Sequence, residues 1–193
     1  MIISSFCSRC GAQHSAEVPQ SVNAEASPEL KEQVRSGALF TWNCPHCGTA
    51  NLLKFPFLYH DPQEHLMLVL TDAAVNAEGV PDGYTGRLVR SAGELIEKIN
   101  IFDAGLDDLA IEMCKYVTSK ELNTDAPLKF LKIEGADSEM TFTYPEKGEM
   151  QLVAVGFNVY EDCAGILQRN PRIRDAAKGL VSIDRAWLAR YFE

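Results

Sequence analysis

Four cysteines in two short pairs are the strongest chemical signal in this 193-residue chain. They read Cys7-Ser8-Arg9-Cys10-Gly11 and Cys44-Pro45-His46-Cys47-Gly48. Two residues between cysteines let one tight turn aim both sulfurs at a single point. The glycine that follows tolerates the left-handed backbone that presents N–H groups to thiolates. Two such turns supply four thiolates, the donor set of a closed tetrahedral zinc site with no position left for water or substrate. Iron fits the same donors and is the lesser alternative. A thioredoxin-like redox motif would need only one pair, placed on a helix N-terminus after a strand. The expectation is one structural Zn2+ per chain, held by Cys7, Cys10, Cys44 and Cys47.

Other reactive side chains are less organised. His60, Asp61, Glu64 and His65 fall within six residues and could form a second metal site or an acid–base pair. Their spacing matches no helical His-x-x-x-His arrangement and Pro62 opposes a helix, so a surface turn is the plainer reading. Cys114 and Cys163 could each be a nucleophile, but both fall on or beside apolar helix faces, where free cysteine behaves as a small hydrophobe. The chain has no phosphate loop, dinucleotide fingerprint or Gly-x-Ser-x-Gly elbow. The sequence therefore assigns no catalytic residue. Asp103, Asp107, Asp108 and Glu112 form an acidic patch, opposed by Arg169, Arg172, Arg174, Lys178, Arg185 and Arg190 near the C-terminus. The two patches are placed to dock together, within one chain or between protomers.

The cysteine pairs must be carried by a framework wider than a simple ribbon. Residues 11–43 put 33 positions between them, against about 15–20 in an ordinary zinc ribbon. A folded insertion fills that gap. Ser27 to Gly37 reads as a short helix with Ser at the N-cap, Pro at the first position, acid in the first turn and Gly at the stop. Its Leu30 and Val34 lie one turn apart and face the ribbon.

The runs Ser21-Val22-Asn23-Ala24, Pro28-Glu29-Leu30-Lys31 and Gly37 with Leu39-Phe40, then Cys-Pro-x-Cys-Gly and Tyr59-His60-Asp61-Pro62, together resemble the CpXC domain family. Ser8 stands where that family has Pro in the first pair, which removes no ligand. The resemblance is clearest over residues 1 to about 120. It implies a zinc-ribbon-like domain with a helical insertion, and it implies no activity.

Beyond the ribbon the fold class reads as α+β. A zinc-ribbon-like domain over 1–60 is followed by an α+β domain over 61–193. Leu66 to Leu70 is a buried strand and residues 76–86 a loop; Arg87 to Arg90 is a short strand. A helix from Ser91 to Asp103 sets Leu95, Ile96, Ile99 and Phe102 on one face, with Glu94–Lys98 as an i,i+4 pair. Gly105 breaks it. A second helix lines up Leu106, Leu109, Ala110, Met113 and Val117, with Asp107, Asp108 and Glu112 turned outward, so the two make an αα-hairpin. From Leu128 to Phe157 the period is two, an antiparallel meander of three strands with a turn from Pro145 to Glu149. A helix over 158–168 follows. A last helix from Ile183 to Phe192, capped by Ser182, carries too broad an apolar face to stay undocked.

Composition narrows the partners. Apolar residues make up 46% of the chain, enough for a core. The formal charge is -9, from 18 basic and 27 acidic residues. Residues 1–60 carry no cluster of Lys and Arg, which argues against nucleic acid and against an anionic membrane surface. The start lacks a signal-peptide pattern, and the longest apolar runs, such as Leu66 to Leu70, are far short of the ~20 residues a membrane helix needs. A soluble, cytoplasmic protein with reduced thiols is expected. The leading functional reading is a zinc-binding adaptor that engages another protein, with a homo-oligomer also possible. A hydrolase with a cleft between the domains, using His60, Asp61 or the acidic helix residues, is the rival from another class. A third reading is nucleic-acid binding through the Arg-rich C-terminal segment.

Overall fold

A computed structural model describes residues 1–75, 79–136 and 138–192. Its chain separates into two compact units, Met1–Ile96 and Glu97–Glu193. The expected division at residue 60 falls inside a strand. Helix makes up 32% and strand 30% of the residues, the mixture expected of an α+β fold.

In the first unit, short alternating segments form two hairpins. Strands β1 (Ile2–Phe6) and β2 (Gln13–Glu17) pair antiparallel, with Phe6 opposite Gln13 at the tip. After β3 (Ser21–Asn23) comes helix α1 (Pro28–Arg35). Pro28 opens it because a first-turn residue needs no N–H partner, but the Ser27 side chain makes no cap hydrogen bond. Val34 is fully buried, whereas Leu30 is only partly so. The N–H of Ser36 ends the helix on the Glu32 carbonyl, and Gly37 turns left-handed at φ 77°. A 3-10 turn (Ala38–Phe40) then leads into the second hairpin, β4 (Thr41–Asn43) with β5 (Ala50–Leu52).

The main layer of this unit follows. Strands β6 (Phe57–Asp61), β7 (Leu66–Leu70) and β8 (Thr85–Val89) join β3 in the order β8-β7-β6-β3. β6 and β7 are antiparallel; β3 runs parallel to β6, and β8 parallel to β7. Phe57, Tyr59, Leu66, Leu68 and Leu70 bury one face. Phe40, Phe55 and Phe57 cluster with ring centroids 5.4–6.1 Å apart. The strand expected at Leu66 to Leu70 is present at those limits. The loop expected over 76–86 lies partly outside the described residues, and its last two residues belong to β8.

Helix α2 (Ala92–Asp103) spans the boundary between the units. Gly105, at φ 70°, breaks the chain before α3 (Asp108–Glu121), whose N-cap Asp107 accepts from the Leu109 N–H. The meander is as expected: β9 (Lys129–Glu134), β10 (Glu139–Glu146) and β11 (Glu149–Val155), in the order β11-β10-β9 and antiparallel throughout. Its turn is tighter than the sequence suggests. Lys147 and Gly148, both at positive φ, form a two-residue connection. Pro145 therefore sits in β10, past the stretch paired with β9, where its missing N–H breaks no bond to that neighbour. Helix α4 (Phe157–Gln168) is followed by α5 (Pro171–Ala176), which the sequence reading missed, and by α6 (Arg185–Ala189).

One apolar cluster holds the second unit. Leu109, Met113, Phe130, Phe142, Leu167 and Trp187 are among its members. The C-terminal helix departs from expectation: it spans Arg185–Ala189 and is capped by Asp184, whose carboxylate accepts from the Trp187 N–H at 2.7 Å, not by Ser182. Ile183, Trp187 and Leu188 dock into the core, but Tyr191 and Phe192 stay exposed at 38% and 36%.

The acids expected to face outward are the largest departure. Asp108 and Glu112 are 2% and 5% exposed, and so are Glu97 and Lys98 at 6% and 5%. Lys98 pairs with Asp108 at 2.7 Å, not with Glu94; the Glu94 carboxylate instead accepts from the Arg90 N–H. Lys115 lies 3.1 Å from Glu97 and 2.8 Å from Glu112, and Glu97 also accepts from the Phe130 N–H. Helix α3 is buried on more than one side because α4 and α6 pack on it, so a single apolar stripe does not mark its exposed face.

Candidate metal centre

Each cysteine pair occupies the tip of a hairpin, Cys7 and Cys10 between β1 and β2, and Cys44 and Cys47 between β4 and β5. The two tips repeat the same backbone bonds. In the first, the Gly11 N–H donates to the Cys7 carbonyl at 2.9 Å and the Cys7 N–H to the Ala12 carbonyl at 2.9 Å. In the second, Gly48 donates to Cys44 at 2.8 Å and Cys44 to Thr49 at 2.9 Å. Gly11 and Gly48 adopt φ 72° and 71°, a conformation that costs other residues energy. This is what Cys-x-x-Cys-Gly encodes: a turn that sends two sulfurs the same way.

The four sulfurs converge to within 4.8 Å of one another. Across the pairs, Cys7 Sγ is 3.5 Å from Cys47 Sγ, and Cys10 Sγ is 3.6 Å from Cys44 Sγ. The Cys7 and Cys44 residues are buried, Cys47 partly so, and Cys10 exposed. One ion at their centre would touch all four sulfurs. All four cysteines expected as ligands are thus brought together, and the site fits a metal.

Charge explains why the cluster wants a cation. The backbone N–H of Cys10 is the chief influence on Cys7. With that of Arg9 and the neighbouring thiols, it draws the Cys7 thiol down to about 6. The Ala12 N–H favours the Cys10 thiolate in the same way, but hydrogen bonds from Cys44, burial and the remaining sulfurs push Cys10 up to about 12. The Thr49 hydroxyl, 3.3 Å from Cys47 Sγ, helps hold Cys47 below its ordinary value. Sulfurs this close cannot all ionise by themselves, whereas a dication would stabilise all four as thiolates.

Asn51 is the functional residue the sequence reading did not single out. It sits on β5, 8% exposed, and its side chain ties the two tips together. Its Oδ1 accepts from the Ser8 N–H at 2.8 Å and from the Ser8 hydroxyl at 3.0 Å. Its Nδ2 donates to the Thr49 carbonyl at 2.8 Å and to Cys7 Sγ at 3.7 Å. Proline at position 8 would remove the backbone donor of this clamp. A polar residue at a buried strand position, two residues beyond Thr49, was the signal available in the sequence. Nearby, His14 on β2 stacks on Trp42 of β4 at 4.3 Å, a second link between the hairpins.

The other candidate groups have structural partners. Asp61 is 3% exposed, and both its oxygens are engaged. Oδ2 accepts from Lys31 Nζ at 3.0 Å and from the Tyr59 hydroxyl at 3.2 Å; Oδ1 accepts from the N–H groups of Gln63 and Glu64. Burial raises its pKa, but Lys31 and these donors outweigh burial and hold it below the ordinary carboxylate value. His60 lies 3.4 Å from the Tyr84 hydroxyl, and His65 packs edge-on against the same ring. Cys114 and Cys163 are buried in the core of the second unit, and a hydrogen bond between them and burial keep the Cys114 thiol protonated. The ion pair Asp107–Arg174, at 2.8 Å, joins the acidic and basic patches within the chain, while Arg185 pairs with Asp125, outside the acidic patch, at 3.2 Å. Among the described residues, no helix is long and apolar enough to cross a membrane.

A family model described as CpXC protein matches residues 6–115. No curated protein matches the chain, and no solved structure matches it. The family match begins just before the first cysteine and takes in both hairpin tips, the main sheet and most of α3, more than half of the sequence; the chain belongs to the CpXC family.

Proposed function

We propose that the protein is a zinc-stabilised binding module, in which Cys7, Cys10, Cys44 and Cys47 hold one structural Zn2+ in a zinc-ribbon-like first unit, and that this unit engages a protein partner. The observation that carries the reading is the all-cysteine donor set. Thiolates about 2.3 Å from a tetrahedral zinc stand about 3.8 Å apart, close to the 3.5 and 3.6 Å between sulfurs across the two tips. Four such ligands leave zinc no open position, so its task is to fix the two hairpins against each other. Free thiols as ligands fit a reducing, cytoplasmic setting.

Protein binding is supported by apolar side chains that the ribbon leaves in solvent. Ile2 and Phe6, four residues apart on the same face of β1, are 75% and 64% exposed, and Leu52 of β5 is 65% exposed. Large apolar groups of this kind mark interaction surfaces when they share a face. The hydrolase alternative draws no support from Asp61, whose oxygens are all occupied by donors.

Elemental analysis of protein purified without added metal is the first test, and zinc near one per chain is the expected result. Iron in its place, no metal, or a disulfide between Cys7 and Cys10 overturns the zinc assignment. For the partner, cross-linking in the cells of origin should yield a protein captured by the native chain and lost with Phe6→Glu at unchanged zinc content. Capture that is indifferent to Ile2 and Phe6 removes β1 from the interface.

A further inference from the structure

A second candidate site lies in the first unit, at the opposite end of the β4–β5 hairpin from its cysteines. Thr41 and Leu52, the outermost pair of that hairpin, border a cavity of about 690 Å3. That volume falls within the range of small-molecule sites, roughly 300–1,000 Å3. Its walls are apolar: Phe40, Leu53, Phe55 and Leu70 are all buried side chains, and Ile96 of α2 closes another side. Water finds few hydrogen-bond partners against such walls and is poorly held there.

The polar groups on the rim carry a sign. Lys54 and Arg90 line the cavity together with one acid, Asp72. Arg90 is held in place by Nη1, which donates to the Thr71 carbonyl at 2.8 Å and the Ala73 carbonyl at 3.2 Å. Its Nη2 edge has no acceptor among the described residues, and Lys54 has no ion-pair partner among them. Arg90 leads directly into α2. There the Ser91 hydroxyl accepts from the Glu94 N–H at 3.2 Å, while the N–H groups of Ala92 and Gly93, both on the cavity lining, have no acceptor among the described residues. A fixed guanidinium beside free N–H groups at a helix start is suited to one carboxylate, because each donor forms a charge-assisted bond to it.

We propose that this cavity binds a small monocarboxylic acid with an apolar body, the body lying against Phe40, Phe55 and Ile96 and the carboxylate on Arg90 and the first turn of α2. An apolar pocket with a few convergent polar groups gives both halves of that specificity: the walls reward burial of hydrocarbon, and the donors reject an uncharged head. The proposal does not depend on the identity of the metal or on a protein partner.

Titration calorimetry of the intact, metal-loaded chain with decanoate tests it, with decanol as the same tail lacking the charge. Decanoate should bind one per chain and decanol more weakly. Arg90→Gln, at an exposed position, should weaken decanoate at least about tenfold, the scale of one charge-assisted hydrogen bond, while leaving the melting temperature and metal content unchanged. Ile96→Trp, which fills the cavity, should abolish binding. No heat with decanoate, equal affinity for decanol, or undiminished binding by Arg90→Gln at native stability overturns the proposal.

Discussion

From Met1 to Ile96 the strands are divided among small sheets, two of them hairpins with only two strands each. From Glu97 onward, a meander and its helices share one apolar cluster. The units are nearly equal in length, so size does not explain the contrast. Hairpins of three to five residues per strand bury too little surface to fix one another, and a two-stranded hairpin alone is marginal in water. The first unit compensates with four convergent sulfurs, the second with close packing. Cysteine itself shows the difference. At the hairpin tips, backbone N–H groups draw Cys7 down to about 6, whereas in the core, Cys163 and burial raise Cys114 well above its ordinary value. The same side chain is placed to hold a metal in one setting and packs as a small hydrophobe in the other.

The most forceful way to break this contrast is to deny the four sulfurs a metal. Structural zinc binding in small domains is worth about 10–16 kcal/mol at neutral pH and is largely folding free energy. Chelation, or Cys44→Ser, should strip amide-exchange protection from β1, β2, β4 and β5 while residues 97–192 keep theirs. Equal loss in both units would mean that they do not fold separately.

The second unit has its own weak point in Lys115. Burial lowers the lysine pKa, but Glu112 and Glu97 outweigh burial and raise it; for Glu112, burial dominates and its pKa is raised. Lys115→Met leaves two buried carboxylates without their cation, at a cost of about 3–5 kcal/mol. Thermal melts should show that loss in the second unit at full metal content. A raised lysine pKa stabilises the fold below the ordinary lysine range and loses that contribution as pH rises through the folded value. The native protein should therefore weaken in strong alkali, and Lys115→Met should lack that component.

Smaller effects refine the comparison. Asn51→Leu keeps the four sulfurs and removes the clamp between the tips, so metal affinity should fall about 10–100-fold in a chelator competition. The change should leave the melting of the second unit untouched. Asp61→Asn should cost about 1–3 kcal/mol in the first unit only. The Asp61 pKa is lowered, so its contribution is present above the ordinary carboxylate range and is lost as pH falls through the lowered value. The native first unit should therefore lose stability as pH falls through that range, and Asp61→Asn, less stable at neutral pH, should show a flatter acid limb.

What the sequence made legible follows the same division. The cysteine spacing located both tips, because Cys-x-x-Cys-Gly specifies a backbone turn locally. Leu66 to Leu70 and the meander were legible because a half-buried strand repeats every two residues. The charged residues of α2 and α3 were misread, because a helical wheel shows one apolar stripe and not a neighbour on the opposite side. Lys98 and Glu112 look solvated until their partners, Asp108 and Lys115, are known. The last helix was drawn too long because Tyr191 and Phe192 share the spacing of Trp187 and Leu188 but fall beyond the packed turn. Asn51 carried no motif, and its role depends on a partner 43 positions away in the chain.

The place of β3 would give a metal at the hairpin tips a consequence for the route of folding. β3 lies between the two cysteine pairs in the chain, and its parallel partner β6 follows the second pair. Bringing β3 to β6 means closing a long crossover that carries α1 and the whole second hairpin. Closure entropy rises with the logarithm of the loop, and parallel pairings of this range form slowly. A cation joining Cys10 to Cys44 would offer a shorter path between the two strands, made of the arm from the first tip to β3 and the arm from the second tip to β6. Metal supplied at the start of refolding should then speed formation of the β3–β6 ladder, and metal supplied after it has formed should only slow its loss.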